Sequence, residues 1–266
     1  MELICPICGH ELNRDGKSLR CGGNHCFDVA KQGYVNLLAV QQKHSKNPGD
    51  TREQVLSRRA FLETDTYRPI VDALCDAARE LEAQGPILDV GCGEGYYCTR
   101  LASTMEAELT GLDISKEAVR CAAAKYKQAQ WICGSAARLP VADGSVGLLT
   151  SLFALTVPEE FRRVLGPEGY YFQVLAQEDH LLGLKSIIYP TLTHKEKNTA
   201  PELPGFTLVR RIPIRFVFTV EGQQVQNLLS MTPHVYRISK EGAQRLAETD
   251  RLRDTASAVL NIYRPC

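Results

Sequence analysis

The chain has 266 residues, of which 44% are hydrophobic, and its 31 basic and 31 acidic side chains leave no net charge at pH 7. This length suits one large α/β domain plus a small accessory module, and the composition excludes the disordered and fibrous classes. There is no run of about 18 apolar residues, and the first residues lack the pattern of a signal peptide. We therefore expect a cytoplasmic protein with no membrane partner.

The zero net charge hides an uneven distribution. Residues 1–59 carry nine basic and six acidic side chains, residues 60–184 carry ten and eighteen, and residues 185–266 carry twelve and seven. Two interpretations remain open: the basic ends contact a polyanion such as RNA, or solvated surface charge simply falls unevenly.

Four of the ten cysteines lie within the first 26 residues, and the other six are scattered singly, as small core residues would be. Cys5 and Cys8 form one closely spaced pair, and Cys21 and His25 form another. Zinc is held by four nitrogen or sulfur ligands in a tetrahedron, which two such pairs supply without leaving a position for water. The sequence thus predicts one structural zinc, although the spacing also allows Cys26 as the fourth ligand.

The segment that follows is polar and is interrupted by Pro48 and Gly49, which indicates a linker or loop. From Arg58 onward, apolar residues recur at helical spacing. We divide the chain into a zinc-binding module at 1–40, a linker with the start of a helical segment at 41–66, and a larger domain at 67–266.

The larger domain alternates between strand-like and helical patterns. Strands are predicted at 86–90, 108–113, 130–134, 146–152 and 169–175, with helices between them, and then a strand at 205–220, a helix at 221–231 and a closing strand at 256–264. This alternation predicts an α/β fold with a doubly wound, Rossmann-like parallel sheet.

A glycine-rich loop follows the first of these strands in "ILDVGCGEGYY", with glycines at Gly91, Gly93 and Gly95. Glycines there let the backbone approach a ligand closely. Asp89 lies within the motif, and Asp113 ends the next strand, where a carboxylate can accept both hydroxyls of a ribose. A dinucleotide-binding loop would have its third glycine one position later, so the pattern favours S-adenosylmethionine.

Several further stretches carry a resemblance over nearly the whole chain: "FDVAKQGYVNLL", "NPGD", "RRAFLETDTYRP", "GLDISKEAV", "RLP" and "MTPHVYR". Together with the cysteine cluster and the glycine loop, they resemble the bacterial 23S ribosomal RNA guanine-N1 methyltransferases. The resemblance implies S-adenosylmethionine-dependent methylation of a guanine in an RNA hairpin loop. It makes 23S ribosomal RNA the expected partner, and a homodimer is an option.

The resemblance also implies roles for individual residues. It assigns the zinc to Cys5, Cys8, Cys21 and His25, and it adds cofactor contacts at Tyr67, Gly93, Glu94 and His180. Without the resemblance, Tyr67 would be interpreted as a core aromatic and His180 as a surface histidine.

One stretch departs from the family pattern, because the turn after the fourth predicted strand reads Ala154, Leu155, Thr156. We expect the target base near 151–157 and near the segment before Tyr67. The altered turn leaves two alternatives: the same chemistry on another RNA or a small molecule, and a non-catalytic RNA-binding protein with a degenerate fold. No residue is identified as the general base. Phosphate contacts are expected at Lys43, Lys46 and Arg52.

Overall fold

A computed structural model describes residues 1–38, 48–192 and 196–266. Its first part is a small antiparallel sheet of three strands in the order β1-β2-β3. These strands are β1 (Leu12–Asp15), β2 (Ser18–Cys21) and β3 (Cys26–Asp28). Cys5 and Cys8 precede β1, Cys21 ends β2, and His25 ends the four-residue turn between β2 and β3, so both pairs lie at the same end of this sheet.

The next strand, β4 (Tyr34–Asn36), leaves the small sheet and joins a large one. It pairs in parallel with β7 (Gln130–Cys133), with Tyr34 opposite Trp131. This strand lies within the range predicted for the zinc-binding module and keeps a bridge between Val29 and Val35, yet its strand pairing is with the large sheet.

The large sheet has eight strands in the order β10-β11-β9-β8-β5-β6-β7-β4. The strands not yet given are β5 (Ile87–Val90), β6 (Leu109–Asp113), β8 (Val146–Leu152), β9 (Leu165–Ala176), β10 (Phe206–Glu221) and β11 (Arg251–Pro265). The six strands from β9 to β4 are parallel, whereas β11 runs antiparallel to β9 and to β10. The predicted Rossmann-like sheet is confirmed, with the antiparallel pair β11 and β10 added at one edge.

Eight α-helices connect these strands in the described part of the chain. They are α1 (Arg52–Leu62), α2 (Arg68–Glu80), α3 (Tyr96–Met105), α4 (Lys116–Lys125), α5 (Pro158–Val164), α6 (Leu182–Ile188), α7 (Gln223–Ser230) and α8 (Lys240–Ala247), with a 3-10 helix at Pro233–Tyr236. Helix α1 begins at Arg52, ahead of the helical pattern noticed from Arg58, because Thr51 and Gln54 form a reciprocal capping box. None of the helices described here is long and apolar enough to cross a membrane.

The two faces of the large sheet are covered differently. Helices α1 to α4 and α6 to α8 contribute to one apolar cluster, whereas α5 and the small sheet contribute to the other. In the second cluster Leu3, Leu12 and Leu19 of the N-terminal part pack with Leu88 and Ile132 of the large sheet. The small sheet therefore covers part of the large one and shares its core.

The strand order changes direction at β5. The chain continues from β5 to β6 and β7 on one side, and then crosses to β8 and β9 on the other. In open α/β sheets the crevice at the carboxyl ends of the strands beside such a switch point is where ligands bind. The residues after β5, β6 and β8 therefore lie at this crevice.

Candidate functional site

The four side chains expected to bind zinc lie together. One potential ligand atom each from Cys5, Cys8, Cys21 and His25 falls within 4.8 Å of the other three. The Cys21 sulfur is 3.5 Å from the Cys8 sulfur and 3.4 Å from His25 Nδ1. A zinc tetrahedron with bonds of about 2.0 to 2.3 Å has edges of this order, so the donor set fits one zinc ion.

Cys26, the alternative that spacing alone allowed, is the first residue of β3, pairs with Arg20 across the small sheet and is exposed. It is not part of the four-ligand cluster. Desolvation raises the pKa of the Cys21 thiol, but hydrogen bonds with the His25 backbone, the Cys8 side chain and the His25 side chain outweigh it and lower that pKa to about 6. A thiol that ionises readily suits a thiolate ligand.

The glycine loop folds back over the end of β6. Gly91, Gly93 and Gly95 all have positive φ, at 80°, 55° and 89°. A Cβ on Gly91 would lie 2.5 Å from the Cβ of Ala154, and one on Gly95 would lie 2.7 Å from the Trp131 ring. Glycine is thus required at Gly91 and Gly95 both by backbone conformation and by close packing.

Asp113 anchors this loop at the crevice. Its Oδ2 accepts a hydrogen bond from Gly93 N at 2.9 Å, and its Oδ1 accepts one from Ser115 N at 2.8 Å. Burial raises the pKa of the carboxyl, while these two amide donors lower it. The carboxylate is therefore fixed in orientation at the end of β6, and each oxygen keeps lone pairs for further donors.

Asp89 has a different position, beneath the loop. It is 3% exposed and accepts a hydrogen bond of 2.6 Å from the Thr150 hydroxyl, which joins β5 to β8. Desolvation raises its pKa to about 6 in spite of that bond. Because it faces a neighbouring strand, Asp89 supports the loop from inside the fold.

Tyr67 and His180, which are far apart in sequence, lie close together in the fold with ring centroids 6.4 Å apart. Tyr67 is 2% exposed and also contacts Phe61, Phe216 and Phe218 edge to face. Burial lowers the pKa of His180 to about 4, and its Nδ1 accepts a hydrogen bond from Ser257 N. His180 is therefore neutral and carries its proton on Nε2, which makes it a hydrogen-bond donor.

Two buried polar atoms at these positions have no hydrogen-bond partner among the described residues. They are the Tyr67 hydroxyl and Glu94 Oε1, on side chains that are each only 2% exposed. Such groups are costly to bury alone, and they occur where a ligand supplies the partner. S-adenosylmethionine carries hydroxyl, amino and carboxylate groups that could satisfy both atoms, so the residues present fit this cofactor.

A segment that the sequence analysis marked only as a polar loop and by the stretch "NPGD" packs over the turn after β6. Gly49 has φ +81°, and a Cβ there would lie 2.8 Å from that of Ser115. The Asp50 carbonyl accepts a hydrogen bond from the Ser115 hydroxyl at 2.7 Å, and the Asp50 carboxylate pairs with Arg58 at 2.6 Å. The Arg58 Cδ would be 3.8 Å from a Cβ on Gly93. In the sequence, only the resemblance stretch "NPGD" indicated that this segment has a specific role.

Of the expected phosphate-binding residues, Arg52 is exposed at the start of α1. Lys43 and Lys46 lie outside the described residues. Next to Arg52, the Gln54 side chain accepts a hydrogen bond of 2.8 Å from Tyr236, whose side chain is otherwise 70% exposed. Gln54 itself is buried at 8% exposure, so Tyr236 covers a buried position of α1, while Arg52 is the exposed cation at its start.

Comparison with known proteins gives matches along the whole chain. The family model described as "RlmA, N-terminal", a zinc ribbon, matches residues 3–46, and a model described as "Methyltransferase domain" matches residues 87–169. A 23S rRNA (guanine(748)-N(1))-methyltransferase from Streptomyces fradiae is 33% identical, covering 99% of this chain and 96% of its own.

Two more relatives carry related names. A putative 23S rRNA (guanine-N(1)-)-methyltransferase from Micromonospora griseorubida is 36% identical over 68% of each chain, and one from Bacillus subtilis is 27% identical over 92% and 90%. Among solved structures, a putative type II methyltransferase from Anaeromyxobacter dehalogenans aligns with a TM-score of 0.50 at 18% identity, covering 71% of this chain and 95% of its own. That structure supports the fold alone.

Proposed function

The chain belongs to the family of 23S ribosomal RNA (guanine-N1)-methyltransferases, and on that premise we propose that it methylates N1 of one guanine in a hairpin loop of 23S ribosomal RNA, with S-adenosylmethionine as the methyl donor. The observation that carries the proposal is the pairing of a zinc ribbon with a glycine-loop crevice in one structure, over a chain that matches its relative almost from end to end. Ribosomal RNA as substrate also supports a cytoplasmic location.

The crevice offers separate groups for the separate parts of the cofactor. Asp113 would accept the ribose hydroxyls, and the amides and glycines of the loop from Gly91 to Gly95 would lie along the ligand, with Glu94 Oε1 as an acceptor. Tyr67 and His180 offer two hydrogen-bond donors, the hydroxyl and Nε2–H, for a carboxylate. When bound, the cofactor supplies an electrophilic methyl group on sulfur.

The protein's contribution to the reaction is positioning. Methyl transfer requires the attacking nitrogen in line with the methyl group, so holding both partners rigidly supplies much of the rate. Burial of Tyr67 and the pairing of Arg58 with Asp50 close the crevice on two sides. The side chains after β8 complete the remaining side, where a guanine has to enter.

The zinc ribbon is proposed to dock the RNA. All four zinc ligands come from the protein, so the metal keeps no open position for catalysis. The ribbon lies next to β4 at the edge of the large sheet. Residues 1–40 carry four basic and four acidic side chains, so the net positive charge of the N-terminal part comes from residues 41–59. Phosphate contacts there, including Arg52, should make RNA affinity fall as salt rises.

The test offers labelled S-adenosylmethionine to the purified protein with total RNA, with 23S ribosomal RNA and with isolated hairpins. The product is mapped by reverse-transcription stops, because a methyl on N1 blocks Watson–Crick pairing. We expect one strong stop at a loop guanine, absent in RNA incubated with the Asp113→Ala variant. Labelling of a small molecule with no labelling of ribosomal RNA would refute the proposal.

A second candidate, the same chemistry at a different nucleotide or on another RNA, is favoured by the turn at Ala154 to Thr156. Thr156 is held by Tyr171 at 2.8 Å and by Gln173 at 2.9 Å, so the altered turn has a defined shape beside Gly91. Mapping the stop distinguishes this candidate, since it predicts a methylated position other than a guanine of the 23S hairpin.

A further inference from the structure

Phe153, the first residue after β8, has an unusual backbone conformation. Its φ is +54°, in the left-handed region that side chains other than glycine rarely adopt. Among the described residues, six that are not glycine have positive φ, and only Phe153 and Leu181 of these are apolar. A large aromatic side chain gains no local hydrogen bond there, so the surrounding fold must impose the conformation.

This conformation places the Phe153 ring at the open side of the crevice. The next residue, Ala154, packs against Gly91 of the glycine loop, where a Cβ would be 2.5 Å away. The Phe153 ring lies 6.0 Å from the His180 ring at an angle of 31°, and Phe153 N donates to Val174 O at 2.9 Å. The ring thus lies beside His180, and the residue that follows Phe153 packs on the cofactor loop.

The ring is nevertheless 40% exposed. A fold that imposes strain in order to bury an apolar side chain would be expected to bury it completely, as it does Leu181, which has φ +56° and is 1% exposed. Here the strain instead leaves an aromatic face open to solvent at the mouth of the site. Leu155, two residues on, is 70% exposed and adds an apolar rim.

We propose that the exposed face of Phe153 stacks on the target guanine and holds it, unstacked from the RNA, beside the cofactor loop. This inference rests on the proposed function. A base that leaves an RNA loop loses its stacking neighbours, and an aromatic side chain replaces them without reading sequence. Phe153 is therefore a substrate-binding residue, and recognition of the guanine edge falls to other groups of the site.

The test uses kinetics and a cycle between protein and RNA. Phe153→Ala should lower kcat/KM for the RNA roughly 5- to 150-fold, with cofactor affinity unchanged, whereas Phe153→Tyr should keep activity. Leu208→Ala, which removes an apolar side chain of similar exposure (37%) on β10, is the matched control and should be silent. An RNA with an abasic site at the mapped nucleotide should bind the parent and Phe153→Ala equally.

A Phe153→Gly variant guards against a folding defect. Glycine adopts φ +54° freely, so Phe153→Gly should unfold at a higher temperature than Phe153→Ala, by about 2 to 4 °C, yet be equally impaired in methyl transfer. Full activity of Phe153→Ala, or an abasic RNA that weakens both proteins alike, would overturn the inference. If the parent protein itself fails to methylate ribosomal RNA, the proposed function is wrong, and this inference, which depends on it, is wrong as well.

Discussion

The Asp113 carboxylate has two backbone donors before any ligand arrives, from Gly93 and from Ser115. It therefore connects the glycine loop to the turn after β6 and presents its remaining lone pairs to the crevice. The sequence could predict this residue, because an acid at the end of the second strand is a local pattern. Arg58 and Thr150 could not be predicted in the same way, since their partners are Asp50 and Asp89 on other elements.

Replacing Asp113 by alanine should weaken S-adenosylmethionine binding by about 1.5 to 3 kcal/mol, because the ribose hydroxyls lose a charged acceptor. Titration calorimetry measures the change. Asp76→Asn, at an exposed position on α2, is the control and should bind as the parent does. An unchanged affinity in Asp113→Ala would show that the ribose lies elsewhere.

The buried carboxyl of Asp89 predicts a pH dependence of stability. Its pKa rises from 3.8 to about 6 on folding, because desolvation disfavours the charged form. Between those values the unfolded chain has released the proton that the folded chain still holds, so stability falls as pH rises through this window. The Asp89→Asn variant keeps an oxygen that accepts the Thr150 hydrogen bond, but its side chain does not ionise, so it serves as the reference protein.

Urea unfolding from pH 4 to pH 7 should therefore show the parent losing about 2 kcal/mol relative to Asp89→Asn. The measurement is made without cofactor. A constant difference between the two proteins across this range would mean that the Asp89 carboxyl ionises normally in the folded state.

At the scale of elements, the segment from Gly49 through α1 acts as one closing piece. Gly49 packs on Ser115, Arg58 approaches Gly93, and α1 itself packs against α7, where Gln224 donates to the Ala60 carbonyl. The sequence indicated only a polar loop followed by a helix. A short stretch such as "NPGD" has no periodicity, so its tertiary role depends on contacts across 65 residues.

Gly49→Ala tests this closing piece. The new methyl group would lie 2.8 Å from the Ser115 Cβ, and the backbone at φ +81° is strained for alanine. Gly144→Ala has only the backbone strain, at φ +63°, because no atom lies within 4 Å of its new methyl group. We expect Gly49→Ala to cost roughly 1 to 3 kcal/mol more than Gly144→Ala. Cofactor affinity and hydrogen exchange in α1 should change only in the Gly49 variant, and equal behaviour of the two would contradict the assignment.

On the scale of the whole molecule, the zinc ribbon and the large sheet form one structure. They share an apolar cluster through Leu3 and Val141, which also form a β-bridge, and β4 pairs with β7. Spacing predicted the zinc site and three of its ligands, the resemblance added His25 as the fourth, and alternation predicted the parallel sheet without its strand order. The joining strand could not be predicted, because the three residues of β4 are too few to show a period.

Removing zinc should therefore destabilise the whole chain. Cys8→Ser should lose the metal and lower the midpoint of thermal unfolding in one transition, while Cys26→Ser should keep about one equivalent of zinc. Trp131, the only tryptophan, lies opposite Tyr34 of β4 and reports the change by fluorescence. A separate ribbon transition that leaves Trp131 unaffected would show that the two parts unfold independently.

The pairing of β4 with β7 has a consequence for how the two parts can be exchanged between relatives. Consider a chimera with the ribbon of one family member and the sheet of another. If the two sequences are joined just before Tyr34, β4 comes from the second member and follows a turn from the first. If they are joined after Asn36, β4 comes from the first member and must pair with Trp131 and Ile132 of the second. The unit that can be exchanged thus includes both β4 and β7. The strand pair sets the distance between the zinc site and the cofactor site, so we expect the target of such a chimera to be that of the relative that supplies both strands.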